Sequence, residues 1–301
     1  MRISDMDPEV PADRGRFEAR YLAFLETVAS IRPRLHRYCS RMTGSPLDGE
    51  DVVQDALFDA YRRLDSYDES RPLAPWLFRI AHHRAIDHLR RRGVREAAET
   101  RAASSDIVDA EQPVSDDVRQ ALERLVGHLP PMERACVLLK DVFEYSLEET
   151  ADLVDSSVGG VKAALHRGRR KLEALSGQPA TPTALPTSSL ELAQRYADGF
   201  NRRAWDELRG LIRADARILV ADRYAGRVSE SPYFQRYAGM PHPMKASAEI
   251  VVGDVVVVIR QERDGTWEPR SIVRLTADEH GGVSFIADYF HCTWLSDVVA
   301  A

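Results

Sequence analysis

Three clusters of side chains carry the chemistry this sequence offers. In DGEDVVQDALFDAYRRL, Asp51, Gln54, Asp55 and Asp59 recur at three- and four-residue steps, within a stretch from Asp48 to Glu69 that sets eight acids against Arg62 and Arg63. From Arg71 to Arg95 the balance inverts, with seven arginines against Asp87. There Trp76 precedes Arg79, His83, Asp87 and Arg90, which share one helical face. From Lys162 to Lys171 five basic residues stand with no acid, and His166 lies among them. Guanidinium and ammonium groups neutralise phosphate, and ring faces stack on unpaired bases. An acidic stripe beside them offers a docking face for a basic partner helix, or simply a solvated surface. Screening confines each patch to roughly 10 Å, so these local fields, rather than the net charge of −6, decide what the chain meets.

Helices must position all three clusters. A helix beginning near Glu50 buries Val53, Leu57, Ala60 and Leu64 and turns the acids outward. A second, opened by Pro75, lines a core with Phe78, Ala81, Ala85 and Leu89 and leaves the arginine face exposed. In SLEETADLVDSSVGGVKAALHRGRRKL, Ser146 and Glu149 form a capping box, Leu147, Ala151 and Val154 point inward, and Asp155 and Ser156 make a tight turn. Ser157 then caps a helix whose inner face is Val161, Leu165 and Leu172. Its outer face carries Lys162, His166, Arg167, Arg169 and Arg170, the arrangement of a helix-turn-helix recognition helix in the major groove.

At 301 residues the chain exceeds one ordinary core. Composition divides it into a helical unit at 16–93, an acidic mobile linker at 94–117, a second helical unit at 118–175, a Pro/Thr/Ser tether at 176–188 and a unit of different character at 189–301. The last opens with amphipathic helices in LELAQRYADGFNRRAWDELRGLI. It continues as an antiparallel meander through EIVVGDVVVVIRQ, an RDG turn, PRSIVRLTAD, an EHGG turn and VSFIADYFHCTW. The expected fold class is therefore multidomain: two all-α units followed by an α+β unit. Cys39, Cys136 and Cys292 are odd in number and lack metal-ligand spacing, so neither disulfides nor a metal nor any other cofactor is expected. No apolar run is long enough to span a bilayer, and the N-terminus lacks the apolar core of a signal peptide, which points to the cytoplasm and to no membrane partner.

The motifs DVVQDALFDAY, PWLFRIAHHRAIDHLRRR, LPPMERACVLLKDVFEYSLEETADLV and SVGGVKAALHRGRRKL, in this order and spacing, resemble a bacterial sigma-70-type RNA polymerase sigma factor of the extracytoplasmic-function (ECF) group. The resemblance covers about Leu22 to Leu172 and implies region two in the first helical unit and region four in the second. It implies that Asp51, Gln54 and Asp55, with Asp59 beside them, dock on the beta-prime clamp of core polymerase. Trp76, Arg79, His83, Asp87, Arg90 and Arg91, with the loop from Tyr67 to Pro75, would recognise and open the minus-ten element. Ser157, Lys162, His166, Arg167 and Arg170 would read the minus-thirty-five element. The chain departs from the family pattern at His83, often Asn, and at Gly160, Ala163 and Ala164, where the pattern Gly-Thr-Val-Lys-Ser-Arg has three potential DNA contacts. Weaker or less selective minus-thirty-five reading, resting on Lys162, Arg167 and Arg170, is expected.

Residues from about Ser189 to Trp294 resemble the cone-shaped α+β SnoaL-like proteins, which include nuclear transport factor and ketosteroid isomerase. That resemblance implies an internal regulator that touches the sigma core. Strand alternation puts Asp288 on one face with Ile286, Phe290, Cys292 and Trp294, where burial should raise its pKa and mark a pocket. A buried Asp hydrogen-bonded to nearby backbone explains the position without catalysis, and the protein is not expected to be an enzyme. Two other readings remain open: a helix-turn-helix regulator acting without core polymerase, and a SnoaL-type small-molecule enzyme fused to a DNA-binding segment.

Overall fold

The computed structural model describes residues 12–68, 70–102, 107–109, 127–175, 184–221 and 223–295. The chain divides into two compact units, one of Met1–Glu96 with Ala121–Gln178 and the other of Ala97–Gln120 with Pro179–Ala301.

The first unit is helical. Helix α1, Ala12–Thr43, and helix α2, Pro46–Arg62, meet at a tight corner. Gly44 there has φ +82°, a left-handed position that glycine takes without strain. The Ser45 side chain accepts from the Asp48 amide and Pro46 occupies the first helical turn. The helix therefore begins four residues before Glu50, at a Ser-Pro start that satisfies a free amide and presets φ. A Cβ on Gly49 would lie 2.5 Å from the Ser40 amide nitrogen, so only glycine lets the two helices approach this closely. Helix α3, Leu73–Ala102, starts two residues before Pro75 and continues nine residues past Gly93, into the stretch read as a mobile linker. Ala, Glu and Arg in REAAETRA are good helix formers, and that local preference carries the helix on.

Helix α4, Pro131–Val137, passes through one π-type turn at Leu138–Val142 and leads to α5, Leu147–Leu153, and α6, Val158–Leu175. The capping box is present in full: Glu149 N–H donates to the Ser146 hydroxyl at 3.0 Å, and Ser146 N–H to the Glu149 carboxylate at 2.7 Å. Asp155 turns the chain with φ +51°. Val53, Ala60, Leu64, Phe78, Ala81, Ala85, Ala151, Val154, Val161 and Leu165 all join one buried cluster, with Leu57, Leu89, Leu147 and Leu172 packed against it. Each fully buried Leu or Phe contributes about 1.5–3 kcal/mol of transfer free energy, so this cluster holds the helical faces in register.

The second unit is α+β. Strand β1, Ile107–Asp109, from the stretch read as linker, pairs antiparallel with β2, Ala184–Pro186. Residues 110–126 and 176–183, where the remaining linker and tether boundaries fall, lie outside the described residues. Helices α7, Thr187–Asn201, and α8, Trp205–Gly210, precede β3, Ile212–Val220, and β4, Tyr224–Arg227. Helix α9, Tyr233–Ala238, leads to β5, Met244–Val251, β6, Asp254–Arg263, β7, Thr266–Ala277, and β8, Val283–Asp288. The sheet order is β4-β3-β8-β7-β6-β5, with β3 and β8 parallel and the other neighbours antiparallel. Helix α7 packs across β5, β6 and β7, burying Tyr196 and Phe200 against Val257, Ile259 and Val273.

Two sequence expectations are corrected here. EIVVGDVVVVIRQ is a hairpin, not one run: Val252 and Gly253 both have positive φ (+48° and +82°), as a two-residue turn of the primed kind requires. The expected meander is present, with β5, β6, β7 and β8 each pairing antiparallel with the next, and β3, which was not part of it, lies beside β8 in parallel. The final strand ends at Asp288, so alternation does not govern Phe290, Cys292 and Trp294. All three cysteines are buried and free. Among the described residues no helix is long and apolar enough to cross a membrane.

Candidate nucleic-acid interface

The four acid-stripe residues do not share one environment. Asp55 is exposed, and Asp51 and Gln54 are half-buried. The Gln54 amide donates to Glu50 Oε1 at 3.1 Å, and Glu50, fully buried, is itself paired with Arg32 at 2.5 Å. Gln54 is thereby held in one orientation. Asp59 is drawn inward: its carboxylate accepts two hydrogen bonds from Arg84, one of them from Nε at 2.8 Å, and lies 3.8 Å from Arg63. Its charge is neutralised within the unit, and Asp55 is the exposed member of the four. Phe58 and Tyr61, both exposed, stand on the same helix.

On α3, Arg79, His83 and Arg90 are exposed and Asp87 is half-buried, 3.5 Å from Arg90. Arg91 is exposed and has no hydrogen-bond or ion-pair partner among the described residues. Trp76 is half-buried, with one side packed against the core and its ring 4.9 Å from that of Tyr67 at an interplanar angle of 45°. Arg79 and His83 do not face solvent alone. Both are bound by Asp155, the turn residue between α5 and α6: Arg79 pairs with Oδ1, and His83 Nε2 lies 2.9 Å from Oδ2. These contacts occupy one edge of the Arg79 guanidinium and Nε2 of His83.

On α6, Ser157 accepts from the Gly160 amide at 3.1 Å and caps the helix as its position suggests. Lys162, His166 and Arg170 are exposed, with no partner among the described residues. Arg167 differs: its Nε donates to the buried Glu133 at 2.9 Å, and Lys171 reaches the other oxygen of that carboxylate at 2.8 Å. Arg169 is paired with Asp141 through two hydrogen bonds. The weight placed on Arg167 as a free phosphate contact is therefore corrected in favour of Lys162, His166 and Arg170. Ala164 also leaves the list of missing DNA contacts, because it is buried in the core at 1% exposure. Gly160 and Ala163 remain.

Sequence reasoning missed the internal partners. Asp155 and Glu133 bind the predicted DNA-facing cations across more than thirty residues of chain, so no local pattern announces them. Arg134, 7% exposed, donates to the carbonyls of Met42, Gly127 and Leu129, tying α4 to the end of α1. Burial pushes its pKa down to about 10. His82 accepts or donates at Nδ1 with Tyr38 Oη at 2.8 Å, and burial, followed by the neighbouring His83, pushes its pKa down to about 4.

In the second unit Asp288 is 1% exposed at the edge of a cavity. Its Oδ1 accepts from Ser271 Oγ at 2.5 Å and from the Phe290 amide at 2.9 Å, and its Oδ2 from Tyr237 Oη at 2.7 Å. Burial raises its pKa, and these donors oppose the rise. The backbone bond accounts for part of its environment, but two side chains supply the rest. Among the described residues no group of three His, Cys, Asp or Glu side chains is placed to hold a metal ion.

Comparison with known proteins bears on the first unit. The Sigma-70 region 2 family matches residues 27–95, and the Sigma-70 region 4 family matches residues 119–172. The chain is 30% identical over 162 residues to the ECF RNA polymerase sigma factor SigW of Bacillus subtilis, covering 50% of this chain and 87% of that protein. It is 30% identical over 236 residues to SigG of Mycobacterium tuberculosis, covering 68% of this chain and 62% of that one. The crystal structure of the ECF sigma factor SigJ from Mycobacterium tuberculosis is similar at 18% identity and a TM-score of 0.36, covering 88% of this chain and 95% of that one. That last likeness carries no argument about fold. With both sigma-70 regions matched in order, and a relative aligned over most of its own length, the chain belongs to the ECF group of RNA polymerase sigma factors.

Proposed function

We propose that the protein binds core RNA polymerase through Asp51, Gln54 and Asp55, opens the minus-ten promoter element with α3 and reads the minus-thirty-five element with α6. Segments 16–93 and 118–175 act as regions two and four, 94–117 and 176–188 connect them, and 189–301 is a SnoaL-like regulator acting on the sigma core from within the same chain. The setting is cytoplasmic and the protein supplies binding free energy rather than covalent chemistry. Stacking one base on a protein ring is worth roughly 1–3 kcal/mol. Unstacking one base-pair step costs about 1.4 kcal/mol on average. One or two captured bases suffice to nucleate opening, and the half-exposed Trp76 on Tyr67 supplies a ring platform, with Arg90 and Arg91 about 20 Å further along α3 to follow the strand.

The observation that carries this reading is the Asp155 contact. An acid bound to Arg79 and His83 makes this face a closed form, which promoter binding must open. The α+β unit after region four, with a helix across a six-stranded sheet and a cavity lined in part by β3, β4 and β8, supports the SnoaL-like reading. Run-off transcription with core polymerase tests the whole scheme by comparing the full chain with one ending near Gly177. Promoter-dependent transcripts are expected from both, in different amounts. Absence of any transcript or promoter bubble refutes the sigma mechanism in this form, and equal amounts across a promoter library refute the regulatory role of 189–301.

A further inference from the structure

The second unit contains a cavity of about 310 Å³ that the promoter-binding scheme leaves unused. Val220, Met240, Phe290 and the rings of Tyr224 and Tyr237 are among its lining residues, as is His291. An apolar cavity of about 150 Å³ holds one benzene ring, and ligand pockets begin near 300 Å³, so one or two fused rings fit this space. The polar groups are distributed unevenly. At the buried end, both oxygens of Asp288 already accept hydrogen bonds from Ser271, Tyr237 and the Phe290 amide. A cation brought there would lose its hydration and compete with donors already in place. Arg236, which also lines the cavity, is exposed and has no hydrogen-bond or ion-pair partner among the described residues. Asp288 is the only acid among the described lining residues, and its oxygens are taken up by Ser271, Tyr237 and the Phe290 amide rather than by Arg236.

We propose that this cavity is a binding site for a small aromatic monoanion, one or two fused rings bearing a carboxylate, with the rings against Phe290 and Tyr237 and the carboxylate on Arg236. The planar guanidinium matches a carboxylate with two parallel N–H···O bonds, and this fixes the orientation of the ring system that the apolar wall holds. Such a site would make segment 189–301 responsive to a metabolite class rather than to a protein signal.

The test uses the full chain and three probes of one shape: 2-naphthoate, 2-naphthalenemethanol and 2-naphthylmethylammonium, titrated by calorimetry. Saturable one-to-one binding of 2-naphthoate is expected, about fivefold tighter than the alcohol, as an accessible ion pair supplies, with the ammonium weakest. Arg236→Gln should bring the naphthoate down to the affinity of the alcohol and leave the alcohol unchanged. Val220→Phe, which fills the cavity, should weaken both. Failure of all three probes to bind overturns the proposal, as does equal affinity for the three, or a naphthoate affinity that is unchanged in Arg236→Gln. Because Arg236 is exposed, that variant decides the matter even if Val220→Phe does not fold. The measurement needs neither polymerase nor promoter, so its failure leaves the sigma assignment and the regulatory reading untouched.

Discussion

Replacing Asp155 by Asn tests the closed form of region two directly. Asn tolerates the left-handed φ of +51° at this turn, so the backbone is preserved while the charge is removed. Two interactions weaken, those to Arg79 and His83, whose side chains are 45% and 50% exposed, against 43% for Asp155. Pairs this exposed are worth about 0.2–1 kcal/mol each. The two together hold the closed form by about 1 kcal/mol, a factor of roughly five in the closed-to-open ratio. The assay is fluorescence anisotropy of a labelled single strand carrying a minus-ten element, titrated with full-length protein at fixed salt. Asp155→Asn should bind up to about fivefold tighter than the parent. Asp152→Asn, which removes another exposed acid three residues before Asp155, should shift affinity only by the general loss of one negative charge. If both variants bind alike, Asp155 has no gating role. If Arg79→Ala binds the strand as well as the parent does, the α3 face is not where the strand lies.

Three further outcomes follow from the same geometry. Arg170→Ala should lower the salt dependence of minus-thirty-five binding by about one unit of slope; Arg167→Ala should change it less, and should instead lower the denaturation midpoint because Glu133 then keeps only Lys171. An equal slope change for both would place Arg167 on the DNA after all. Ser146→Ala, which removes the capping box at α5, should cost about 1 kcal/mol in urea unfolding with an unchanged m-value. His82 has a folded pKa of about 4 against an ordinary 6.5, so the unfolded chain binds its proton first on acidification. The stability it contributes is present above pH 6.5 and is lost as pH falls toward 4, by about 3 kcal/mol at most; unfolding curves at pH 7 and pH 5 should converge in His82→Gln relative to the parent, and an unchanged pH slope would refute the assignment.

The sequence by itself determined the helical faces, because burial and the 3.6-residue period act locally. Val53, Ala60, Phe78, Ala85, Val161 and Leu165 are buried where the spacing puts them, and the Ser146 capping box needs only four consecutive residues to form. Segregated charge likewise announced a polyanion-binding surface before any coordinates. The RDG turn was legible too, at Asp264 and Gly265, whereas the turn between β5 and β6 and the parallel pairing of β3 were not. The Val252–Gly253 turn lies between two valine-rich runs separated only by Gly253 and Asp254, and the pairing of Ile218 with Ile286 spans nearly seventy residues. Which charges are available was decided only in three dimensions. Asp59 is consumed by Arg84, Arg167 by Glu133, and Arg79 with His83 by Asp155, partners between 25 and 76 residues apart in sequence. An ion pair depends on a few ångströms between side chains, and only the packed core sets distances of that kind between remote parts of the chain.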